Sequence, residues 1–69
     1  MKRLQIMAYN PWKTDVQDTT WGIGYDSESK LYEIIQKARE EYAEQCITLY
    51  YEDGQVVTYQ PLHREQQYI

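Results

Sequence analysis

One stretch limits the folds open to this chain more than any other. Residues 26–45, DSESKLYEIIQKAREEYAEQ, repeat with a helical period, while the segments on either side alternate with period two. At about 100° per residue, Leu31, Ile34, Ile35, Ala38, Tyr42 and Cys46 fall within one arc, and Glu33, Lys37, Glu40 and Glu44 fall opposite. The spacing predicts one amphipathic helix of about 17 residues. Asp26 or Ser27 supplies its N-cap, and Glu28 suits the positive end of its dipole.

The flanking segments read as strands. Leu4, Ile6 and Ala8 alternate with Gln5, Met7 and Tyr9, and Trp21, Ile23 and Tyr25 alternate with Thr20, Gly22 and Gly24. Between them NPWKTDVQDT is a polar loop punctuated by Asn10-Pro11, with Trp12 expected as a lid on the core in preference to a contact anchor. After the helix, CITLYYEDGQVVTYQP (46–61) predicts a hairpin whose two-residue turn is Asp53-Gly54. That turn sets Tyr51 opposite Val56, Tyr50 opposite Val57, Leu49 opposite Thr58 and Thr48 opposite Tyr59. One face is then Ile47, Leu49, Tyr51 and Val56, and the other is Thr48, Tyr50, Val57 and Tyr59. Pro61 ends the last strand, and residues 62–69 read as a polar tail. The order ββαββ predicts an α+β fold, a two-layer sandwich of one antiparallel sheet with the helix on one face, in a single domain of residues 1–61.

A chain of 69 residues has a thin margin of stability, because a domain of this size buries only about 60% of the surface its unfolded form exposes. Its one cysteine, Cys46, excludes an internal disulfide and a cysteine-based zinc cluster and suits a reducing compartment. Association with another chain is the readiest remaining support, so a homodimer is expected. The opening MKRLQIMAYN has two basic residues, but its apolar run is short and broken by Gln5, unlike an export signal. No stretch approaches the ~20 apolar residues of a membrane helix, and a cytoplasmic protein with no membrane partner is expected. The net charge of −4, from 11 acidic and 7 basic residues, opposes direct contact with nucleic acid and favours a protein target with a basic surface.

Few residues offer catalytic chemistry, and no catalytic residue, metal or cofactor is assigned. His63 is the single histidine, and Cys46 with His63 is the single thiol–imidazole combination. Cys46 falls at the end of the predicted helix, where the dipole disfavours a thiolate, and on the arc facing the core, so a buried structural role is expected. GIGYDS leads from strand to helix like a phosphate loop, but Ser27 replaces the third glycine and Asp26 and Glu28 occupy the anion's place. Carboxylates without a His or Cys spacing do not define a metal site.

Binding is the better-supported class. Eight tyrosines and no phenylalanine suit a surface that is alternately wet and covered. With the helix on one side of the sheet, Met7, Tyr9, Tyr50, Val57 and Tyr59 face outward around a floor lowered by Gly22 and Gly24, a patch suited to self-association or a partner. On the helix, Glu33, Glu40, Glu41 and Glu44 make an acidic face, with Glu40 and Glu44 as like charges one turn apart. In size and charge the chain resembles small acidic phage and plasmid proteins that block host nucleases or defence complexes. That likeness implies a non-catalytic inhibitor that occludes a basic surface by mimicking nucleic acid. The alternative is a small nucleotide-like ligand held by tyrosines at a dimer seam.

Overall fold

The computed structural model describes residues 1–13, 15 and 17–62. The elements follow the predicted order: β1 (Lys2–Tyr9), β2 (Thr19–Tyr25), α1 (Glu28–Glu41), β3 (Cys46–Tyr51) and β4 (Val56–Tyr59). They form an α+β fold with one four-stranded antiparallel sheet of order β2-β1-β3-β4. β2 and β3 both run antiparallel to β1 and therefore parallel to each other, with β1 between them. The segment joining β2 to β3 must pass over β1, and α1 does so on one face of the sheet.

That face holds the core. Leu4, Ile6 and Ala8 of β1 and Ile47 and Leu49 of β3 meet Ile34, Ile35 and Ala38 of α1, with Trp21, Ile23, Tyr25, Leu31, Tyr42, Tyr51 and Tyr59 packed around them. Leu4, Ile6, Ile47 and Leu49 are fully buried, each contributing about 1.5–3 kcal/mol. The two central strands thus supply the floor, and the helix closes it.

Both helix ends have local causes. Ser27 is extended (φ −154°, ψ 162°), and its Oγ accepts from the Lys30 N–H at 3.2 Å. At the other end Tyr42 leaves helical geometry (φ −116°, ψ 56°) while its N–H still donates to Ala38 O. Its ring lies 5.4 Å from that of Trp21. The helix therefore has 14 residues, not the expected 17 or so. Glu44 lies in the following turn and Cys46 opens β3, so neither the predicted Glu40–Glu44 repulsion nor a dipole effect on the thiol applies.

The hairpin differs from its predicted register by one residue. Its loop is Glu52-Asp53-Gly54, closed by Tyr51 N–H to Gln55 O at 2.9 Å and Gly54 N–H to Tyr51 O at 3.0 Å. Gly54 takes φ 95°, as a glycine ending a three-residue hairpin loop does. Ile47 pairs with Tyr59, Thr48 with Thr58, Leu49 with Val57 and Tyr50 with Val56. A one-residue slip turns a whole strand over. Val57 and Tyr59 face the helix, and Val56 and Thr58 face outward. The two-residue turn would have put Val56 and Thr58 inside, a smaller apolar area than Val57 and Tyr59 provide.

Candidate interaction surfaces

The sheet face away from α1 is covered by no element among the described residues. Strand register puts Gln5, Tyr50 and Val56 in one row across it and Thr20, Met7, Thr48 and Thr58 in the next, with Tyr9 beside Cys46 beyond them. Met7, Tyr9 and Tyr50 stand where the sequence placed them. Val57 and Tyr59 do not, because of the register shift, and Val56, 56% exposed, takes their place beside Tyr50 at 39%. Thr48 is buried on this side, its hydroxyl 3.2 Å from that of Thr58.

The expected glycine floor is occupied. A Cβ on Gly22 would lie 3.4 Å from Gln5 Oε1 and 3.5 Å from Arg3 Nη2, and one on Gly24 would run into the Met1 side chain. Arg3 is the one ionic side chain that the strand register puts on this face. A sheet face exposed to water ordinarily alternates with charged residues, whereas the centres of protein interfaces are depleted of them.

The helix side is the opposite in charge. Glu33, Glu40, Glu41 and Glu44 are all exposed, with Glu33 held 3.5 Å from Lys30. Arg39 turns inward: its guanidinium stands 4.8 Å from the Tyr59 ring centroid, and Nη2 donates to Gln60 O at 3.1 Å. Tyr32 was missed by the surface reading, although it lies off the apolar arc, and at 70% exposure it is the more open of the two exposed tyrosines among the described residues. Glu33 adjoins it in sequence and Gln36 follows one turn on, both exposed.

Trp12 is not a lid. It is 47% exposed in a turn where Asn10 Oδ1 accepts its N–H at 3.2 Å and the Lys13 N–H reaches Asn10 O at 3.4 Å. Cys46 is buried, but from a strand position opposite Tyr9 and not from the helix. His63 lies outside the described residues. Every described Asp and Glu is exposed, and no group of three or more His, Cys, Asp or Glu among the described residues could hold a metal ion. No helix among them is long and apolar enough to cross a membrane.

At the end of the core near the hairpin loop, Tyr51 is held neutral to higher pH than an ordinary tyrosine. Burial is the main cause, followed by Tyr59, Tyr25, Glu28 and Asp53, whose negative charges would oppose a phenolate. No family model, curated protein or solved structure matches this chain.

Proposed function

We propose that this chain is a protein–protein interaction module with no catalysis of its own, a small acidic inhibitor that lays its helix against a basic surface of a target protein. The observation that carries this reading is the segregation of charge. Residues 26–44 hold six acidic and three basic residues, so three of the chain's four net negative charges belong to the helical layer. Of the three cations, Lys30 is paired with Glu33 and Arg39 is packed on Tyr59. Exposed Tyr32 adds a large contact residue within this acidic surface.

The nearly uncharged outer sheet face complements it. Two copies of a net-negative chain repel least where they carry no carboxylates, so Met7, Tyr9, Tyr50 and Val56 form the surface for self-association, with the acidic helices left outside. A nucleotide-like ligand at that seam is less well supported, since Arg3, Gln5 and Met1 lie over the glycines that were to admit it.

Immobilised protein should retain, from lysate of its source cells, a basic protein that duplex DNA displaces at constant ionic strength. The double variant Glu33→Lys/Glu40→Lys should retain at least about tenfold less. Retention that ignores both DNA and the reversed charges would remove the reading.

A further inference from the structure

β2 is an open edge that the reading above does not use. It has β1 on one side and, among the described residues, no strand on the other, so alternate backbone N–H and C=O groups point out of the sheet. Its sequence, TTWGIGY, carries neither a charge nor a proline, two devices that ordinarily blunt an edge. Beside it a cleft of about 370 Å³ opens between β2 and α1, lined by Trp21, Ile23, Ile34, Ala38 and Tyr42, with exposed Lys37 and Glu41 next to them. Side chains alternate across a strand, so a strand added to this edge would turn every second residue toward the cleft. An edge with a helix flank and an apolar slot between them is the arrangement into which extended peptides add.

Charge decides the occupant. Asp18 and Asp26, both exposed, directly bracket Thr19–Tyr25. A second copy pairing its own β2 antiparallel about Gly22 would set Asp18 opposite Asp26 at both ends, and like charges directly opposed are destabilising. A segment with a cation at each end meets a carboxylate at each end, whichever way it runs. We propose that the β2 edge and its cleft bind an extended segment of a partner protein as a fifth strand, with apolar residues at alternate positions and Lys or Arg at both ends. This site uses residues other than Glu33 and Glu40, so it stands or falls separately from the helix-face reading.

The full ¹⁵N-labelled chain would be titrated with the blocked nine-residue peptide KVTVTVTVK, whose end residues are spaced like Asp18 and Asp26, and followed by amide NMR. Saturable shifts are expected along Thr19–Tyr25 and at Ala38 and Tyr42. Two analogues, N-methylated at the odd or the even residues, should differ, one of them binding at least about tenfold more weakly through loss of its ladder hydrogen bonds. QVTVTVTVQ should bind about threefold more weakly or worse. The proposal is overturned by shifts confined to β4 or the outer sheet face, by no saturable shift, or by equal binding of both methylated analogues. It is also overturned if the β2 amides move on dilution of the protein alone, which would give the edge to a second copy.

Discussion

Arg39 ties the end of β4 to the helix. It offers Tyr59 a cation over its ring and, 21 residues away in sequence, Gln60 a hydrogen-bond donor. Arg39→Met keeps much of the stem while removing both contacts, and should lower stability in urea by roughly 1–2 kcal/mol. Tyr51 adds a dependence on pH. Its folded-state pKa is raised above 10.0, so its contribution is fully present below about pH 10 and is lost as pH rises through the folded value. Tyr51→Phe should flatten the fall in urea stability above about pH 10, and an unchanged slope would show that another group governs it.

At the scale of elements, the helix start and the hairpin loop each rest on one residue. Ser27→Ala removes the acceptor of the Lys30 N–H and should cost about 1 kcal/mol, with a matching fall in thermal midpoint and no change in the sheet's NMR pattern. Gly54 has φ 95°, where a Cβ is strained although nothing stands within 4 Å of it. Gly54→Ala should therefore cost about 1–2 kcal/mol from backbone conformation alone, whereas Gly54→Asn should recover part of that loss. The helix, its cap and its acidic face were legible because each depends on spacing within one segment. The helix end was not, since Tyr42 is drawn out of the helix beside Trp21, a residue of another element.

For the molecule as a whole, the two faces differ in charge, and the proposed self-association rests on that difference. Tyr50→Arg adds a cation to the uncharged face at a position already 39% exposed, so stability should change by no more than about 0.5 kcal/mol. Sedimentation velocity should show a wild-type dimer and a monomeric variant. A wild-type monomer at about 100 μM, well above the affinity of a stable homodimer, would withdraw the self-association surface. Met7, Tyr9 and Tyr50 of that surface could be read from alternation in β1 and β3. Val57 and Tyr59 could not, because β4 takes its face from a loop one residue longer than the Asp53-Gly54 signal implied.

The sequence by itself determined the five elements, their order, the arc of α1 that is buried and the concentration of acidic residues in the helical layer. Period, cap chemistry and composition all act over a few neighbouring residues. Only the tertiary structure decided the sheet order with β1 at its centre, the register of β4 and the cleft beside β2. The reason is energetic as well as geometric. Asp53-Gly54 suits a two-residue turn, but the three-residue loop at 52–54 is the one that sets Val57 beside Leu49 and Tyr59 beneath Arg39, contacts with residues distant in sequence.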